Sequence, residues 1–216
     1  MIKLVILDFD GVVVESLDIK TEAFRKLFQE YPNVDAIVQY HLENNPSSRF
    51  IKFKYIYENI LEREYTEEVE GDLGRKFSEI VFQKVVECPY VTGAKEFLRI
   101  FSRILPIYLI SATPQDELER IVTNRNIGHY FRQVWGIPPG NKVDYIKQAL
   151  KNEDAKAEEA VSIGDMLEDF RVAQEVGALF VGRRHKESFD GLGVPEFPDM
   201  VGITEWLKHK TGAGGS

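Results

Sequence analysis

A parallel α/β sheet interrupted by a helical module is the fold class that this 216-residue sequence predicts. Three observations carry the prediction. Short runs of Ile, Val and Leu recur without polar alternation, as strands covered on both faces require. Helix-like stretches separate the later runs. After the first run, a segment of about 70 residues has its apolar side chains at helical rather than strand spacing.

Taken in order, the apolar runs are residues 2–7, 107–110, 134–135, 160–163 and 179–181, which predicts five strands. Between the second and third, Thr113 is expected as an N-cap, with Pro114 in the first turn and Asp116 closing a pattern like a capping box; Leu118, Ile121 and Val122 face inward and Gly128 ends the helix. Further helices are expected over 143–150 and 167–176, the latter stopped by Gly177. In the insertion, residues 17–88, three apolar stripes predict helices: Ile19, Ala23 and Leu27 beside Phe24 and Phe28; Phe53, Tyr57, Ile60 and Leu61; and Val69, Leu73, Phe77, Ile80 and Val81. Pro32, Pro46 and Pro89 mark breaks, and residues 212–216 read as a flexible tail. The domain expectation is a core of 1–16 and 89–211, a helical module of 17–88 and a tail of 212–216. There is no internal repeat.

Composition narrows the class. Hydrophobic residues at 44%, aromatics at 12% and charged residues at 29% are ordinary for a soluble globular protein and exclude disordered, collagen-like and coiled-coil chains. With 27 basic and 35 acidic side chains the net charge is −8, which disfavours nucleic acid and anionic lipid as partners. The single cysteine, Cys88, has no intramolecular disulfide partner, and there is neither a signal-peptide pattern nor an apolar run long enough to span a bilayer. A reducing cytoplasm is expected.

Polar residues cluster where the predicted strands end, the edge at which open α/β sheets place ligands. Asp8-Phe9-Asp10-Gly11-Val12 follows the first run, with two carboxylates aimed by alternation to one side, although Asp-x-Asp-Gly is also a turn signature. Ser111-Ala112-Thr113 follows the second run and offers a hydroxyl and backbone N–H groups to an anion. Lys142 stands in the first turn of a predicted helix, where the dipole disfavours a cation unless an anion lies nearby. Gly164-Asp165 follows the fourth run, with Glu168 and Asp169 one turn further on. Together Asp8, Asp10, Asp165 and Asp169 supply four carboxylates, Ser111 a hydroxyl and Lys142 an ammonium.

The ordered set of Asp8-Phe9-Asp10-Gly11-Val12, Ser111, Lys142 and Gly164-Asp165-x-x-x-Asp169 resembles the four motifs of the haloacid dehalogenase superfamily, over residues 2–182. The resemblance implies a Rossmann-like parallel sheet core with an inserted helical cap, as in phosphoglycolate phosphatase-like and β-phosphoglucomutase-like members. It implies phosphoryl transfer through an aspartyl-phosphate, with Asp8 as nucleophile and Asp10 as acid and base. Magnesium is the implied cofactor, held by Asp8, the Asp10 backbone carbonyl and Asp165, with Asp169 as a further ligand or an outer acceptor; Glu168 is a weaker candidate. Ser111, Ala112 and Lys142 would hold phosphoryl oxygens. Haloacid dehalogenases proper attack carbon and lack the second aspartate, so Asp10 points to phosphorus chemistry.

The expected substrate is a small phosphate monoester, taken by a monomer or homodimer. A phosphomutase of the β-phosphoglucomutase type shares the same residues, and a phosphoryl-ligand or partner-binding module with vestigial chemistry stands as a third reading. Within the insertion, Arg49 and Lys52 are candidates to meet an anionic or polyol substrate, against a plainer reading as solvated charges. His41, His129, His185 and His209 show no ligand spacing, and Arg183-Arg184 reads as surface charge.

Overall fold

A computed structural model of the chain describes residues 1–44 and 47–212; the break expected at Pro46 and residues 213–216 of the expected tail lie outside the described residues. The chain divides into two compact units, Met1–Glu15 with Pro89–Ser216, and Ser16–Cys88.

The first unit is built on six strands, β1 (Leu4–Leu7), β2 (Ile107–Ser111), β3 (Gln133–Gly136), β4 (Ala160–Gly164), β5 (Leu179–Arg183) and β6 (Glu196–Phe197). They form one sheet in the order β3-β2-β1-β4-β5-β6, and every neighbouring pair is parallel. Five match the predicted runs to within two residues at each end. β6 was not predicted, because two residues carry no periodic signal. The order reverses beside β1, which pairs with β2 on one side and β4 on the other, so the chain leaves β1 and β4 at a switch point of the sheet.

Continuous apolar strands need cover on both faces, and helices supply it. With the helices numbered along the chain, this unit holds α5 (Ala94–Phe101), α6 (Gln115–Asn124), α7 (Lys142–Asn152), α8 (Leu167–Val176) and α9 (Met200–Thr211). Leu4, Ile6, Tyr108 and Ile110 from the strands pack with Ile146 and Ala149 of α7 and Val172 of α8. Helix α8 ends at Gly177 in the left-handed region, as predicted. Helix α6 departs from prediction at both ends. Pro114 rather than Thr113 stands at its N-cap position, because the Thr113 hydroxyl is engaged elsewhere, and it ends at Asn124 while Gly128 opens a separate short turn.

The second unit is helical: α1 (Leu17–Leu27), α2 (Val34–Glu43), α3 (Arg49–Tyr55) continuing into a π-turn over Ile56–Ile60, and α4 (Glu67–Glu87). Helix α4 is capped by the Thr66 hydroxyl, which accepts from Val69 N at 3.3 Å. The stripes converge on an aromatic core. Phe24 packs against Phe77 and Phe53 with centroids 5.1 and 5.6 Å apart, and Phe28, Ile37, Leu73 and Val81 are buried with them. Helix α2, which no predicted stripe covered, buries Ile37, Val38 and His41. Among the described residues no helix is long and apolar enough to cross a membrane.

Candidate active site

The site gathers at the C-terminal ends of β1, β2 and β4 and the N-terminal ends of α7 and α8. Asp8 follows β1 directly, and Asp165 and Asp169 lie just after β4 and in the first turn of α8. One carboxylate oxygen from each of Asp8, Asp165 and Asp169 falls within 4.8 Å of the others. Lys142, the first residue of α7, reaches into the cluster: its Nζ donates to Asp8 Oδ1 at 3.1 Å and to Asp169 Oδ1 at 2.5 Å. These carboxylates are the anions that reconcile a lysine with a helix N-terminus.

Two glycines make this approach feasible. Gly11 has φ +77°, and a Cβ there would stand 2.2 Å from Asp165 Oδ2; a Cβ on Gly164 would stand 2.3 Å from Asp169 Cβ. The tightness that brings the acids together thus rests on absent side chains.

On the β2 side, the Ser111 and Thr113 hydroxyls both donate to Asp10 Oδ2, at 3.2 and 3.3 Å, and Thr113 N donates to Ser111 Oγ at 3.1 Å. Ser111 thus stands beside Asp10, and Ala112 between the two hydroxyl residues is half-buried. Thr113 is the residue that sequence reading missed as part of the site. Its i, i+2 relation to Ser111 on extended chain was the available signal, since alternation puts both on one side.

Buried acids this close compete for protons. Burial is the largest influence on Asp8 and raises its carboxyl; Lys142 pulls it down, Asp169 and Asp10 push it up, and the outcome is a value of about 7. Burial, then Asp8 and Asp169, holds the Asp165 carboxyl well above the usual carboxylate range despite Lys142. Burial opposes the Lys142 ammonium, but Asp169 and Asp8 outweigh it and keep the lysine above its ordinary value. Both Asp165 oxygens are buried and accept no hydrogen bond among the described residues. A charged carboxylate is costly in that setting, and an all-oxygen donor set with one orphaned acid fits a hard divalent cation. Asp169 is tied differently, since its Oδ2 accepts from Met166 N at 3.2 Å. Glu168 points away to Arg171 at 3.5 Å, half-exposed.

The remaining candidates lie in the helical unit, and neither is a solvated charge. Arg49 and Lys52 are 6% and 3% exposed. Arg49 donates to Ser78 Oγ at 3.1 Å and lies over the Phe77 ring. Lys52 Nζ lies 3.1 Å from His41 Nδ1, and His41 Nε2 lies 3.2 Å from Thr21 Oγ1. Burial, with Lys20 and Arg49 adding to it, lowers the Lys52 amine to about 7. His41, to which no role was assigned, stacks on Phe24 at 4.2 Å. The reading of Arg183 as surface charge also fails, because Arg183 is 6% exposed and ends β5, while only Arg184 stands half in solvent.

The family profile of the haloacid dehalogenase-like hydrolases matches residues 5–182. No curated protein matches in sequence. Among solved structures, a β-phosphoglucomutase from Clostridium difficile superposes with a TM-score of 0.79 at 17% identity, covering 99% of this chain and 98% of that one. A protein described as a predicted phosphoglycolate phosphatase from Haemophilus somnus gives 0.77 at 16% identity, over 95% and 98%. The hydrolase YfnB of Bacillus subtilis, solved bound to magnesium, gives 0.70 at 15% identity, over 97% and 98%. At such identities the likeness is one of fold.

Proposed function

We propose, from the premise that this chain belongs to the haloacid dehalogenase-like hydrolase family, that it is a magnesium-dependent phosphatase of a small phosphate monoester. The observation that carries the reading is the meeting of Asp8, Asp10, Asp165, Asp169, Lys142 and Ser111 at one sheet edge, with Asp165 left without a hydrogen-bond donor among the described residues. The structural likenesses to a mutase, a phosphatase and a magnesium-bound hydrolase are in keeping with it.

Asp8, the Asp10 backbone carbonyl, Asp165 and Asp169 would hold the magnesium ion. Once bound, the cation neutralises charge between an anionic nucleophile and an anionic phosphate. An Asp8 oxygen attacks phosphorus as the ester P–O bond breaks, giving an aspartyl-phosphate, and Asp10 gives its proton to the departing alkoxide. In the second step Asp10 takes a proton from water while the water oxygen attacks phosphorus. The bond to Asp8 breaks and inorganic phosphate leaves. Lys142, Ser111 and the Ala112 segment hold phosphoryl oxygens, so that charge spreading onto them in the transition state meets fixed donors. Asp169 keeps Lys142 oriented. The helical unit acts as a cap, with Arg49 and Lys52 as its specificity residues. A cytoplasmic monomer or homodimer belongs to the same reading.

The test is phosphate release from p-nitrophenyl phosphate and a panel of sugar and glycolate phosphates, with and without magnesium. Magnesium-dependent release from at least one is expected; none at all sinks the reading. Isomerisation of a sugar phosphate without net release would move the assignment to a phosphomutase.

A further inference from the structure

We propose that Arg183 is a positioning residue for Asp10, acting through the loop of residues 9–15; the inference rests on the phosphatase reading above. Arg183 sits at the end of β5, its side chain 7% exposed, and its guanidinium is spent on three residues in two chain segments. Nε donates to Pro198 O at 3.2 Å. Nη1 donates to Gly11 O at 3.2 Å and to Glu15 Oε2 at 3.3 Å, and Nη2 donates to Glu15 Oε1 at 2.6 Å. Three of these four bonds end on residues 11 and 15.

The loop so held is stiff. Val13 N and Val14 N donate to Phe9 O at 2.9 and 3.2 Å, and Gly11 N donates to Val14 O at 2.8 Å. A piece bonded in this way shifts as a unit, and the planar guanidinium fork sets where it sits against β5. Asp10 opens the piece. Its Oδ2 is met by the Ser111 and Thr113 hydroxyls at 3.2 and 3.3 Å, distances that a further small displacement would break. Gly11, next in line, is already pressed against Asp165. The pairing of Arg183 with Glu15 therefore fixes the acid relative to its hydroxyl partners and to the carboxylate cluster, from a place that touches neither substrate nor the reacting atoms.

A role exerted through the acid has a signature that loss of packing lacks. Removing the clamp should slow esters whose leaving alkoxide needs a proton more than an ester whose leaving group departs unprotonated. The experiment compares wild type, Arg183→Ala and Glu15→Gln on p-nitrophenyl phosphate and on the alkyl phosphate of the panel above that wild type hydrolyses fastest, with magnesium and alongside thermal melts. In Arg183→Ala, kcat/KM for the alkyl phosphate should fall about 100-fold, the size of effect known for misplacements near 1 Å. For p-nitrophenyl phosphate the fall should be about tenfold or less, because acid catalysis is the part withdrawn. Added guanidinium should recover most of the loss. Glu15→Gln, which keeps the shape of the clamp, should show the same leaving-group dependence at smaller size and serves if Arg183→Ala does not fold. Equal losses on both substrates, or none, in the variant that folds overturn the inference. An inactive wild type overturns the phosphatase reading itself.

Discussion

Two clusters of buried charge, opposite in sign, stand one in each unit. In the sheet unit, Asp8, Asp165 and Asp169 cluster beside Lys142, and burial drives Asp8 and Asp165 toward their neutral forms. In the helical unit, Lys52 lies near Arg49 and Lys20 against His41, and burial drives the amine toward its neutral form. The acid cluster is held by backbone geometry, at strand ends and helix starts where two glycines permit contact closer than side chains allow. The cationic cluster is held by side-chain packing among Phe24, Phe53 and Phe77. A rigid frame suits chemistry that needs fixed oxygens. A packed helical core is the more easily varied of the two, since volume-conserving changes there are tolerated.

The sharpest separation of the two clusters is Asp8→Asn. It removes the proposed nucleophile while keeping its size, and on the phosphatase reading phosphate release should fall at least about 1000-fold, in the range of lost covalent catalysis. If the variant turns over like wild type, the sheet cluster is not the seat of the chemistry.

Asp165→Asn tests the cation. Activity should fall about 100-fold, as when ligand shells are disturbed. In magnesium-free buffer at pH 8 the variant should melt about 4 °C above wild type, because the cost of holding a buried carboxyl far above its ordinary range is gone. Magnesium should raise the melting temperature of wild type but not of this variant. A magnesium shift that survives the substitution places the ion elsewhere.

Thr113→Val withdraws one hydroxyl from Asp10 at nearly constant volume. A loss of about tenfold in kcat/KM is expected, the lower range for a single hydrogen-bond donor, with Thr113→Ser close to wild type. A loss equal in both variants would make the methyl group, not the hydroxyl, responsible.

The smallest effect is on stability against pH, and the two clusters give it opposite slopes. Asp8 holds its proton to about 7 in the folded chain against 3.8 when free, so its contribution is full below pH 3.8 and is lost as pH rises through about 7. Lys52 titrates near 7 when folded against 10.5 when free, so its contribution is full above pH 10.5 and is lost as pH falls through about 7. Lys52→Met should therefore flatten the rise in melting temperature between pH 7 and pH 9 by about 2 °C, and leave the pH 4–7 limb in place. A change in the acidic limb instead would mean that the clusters are not separable.

Much of the sheet unit could be read from the chain because its signals are local. Continuous Ile, Val and Leu mark strands buried on both sides, and the acids follow those runs directly. The sixth strand escaped because two residues have no period. Helix α2 escaped because its apolar residues are spread around the helix rather than set in one stripe, and a buried histidine completes the inner face. Thr113 was mistaken for a cap because a hydroxyl before Pro114 has two satisfactory fates, and only the position of Asp10 decides between them.

The sequence by itself determined the kind of fold and which polar residues stand at strand ends, since periodicity and adjacency are properties of neighbours along the chain. Only the tertiary structure decided that Lys142 bonds two acids from different elements, that Arg183 is a buried clamp rather than surface charge, and that Arg49 and Lys52 lie inside an aromatic core. Each of these is settled by what lies across a space that sequence separation does not measure, and by whether water reaches the charge when the chain is packed.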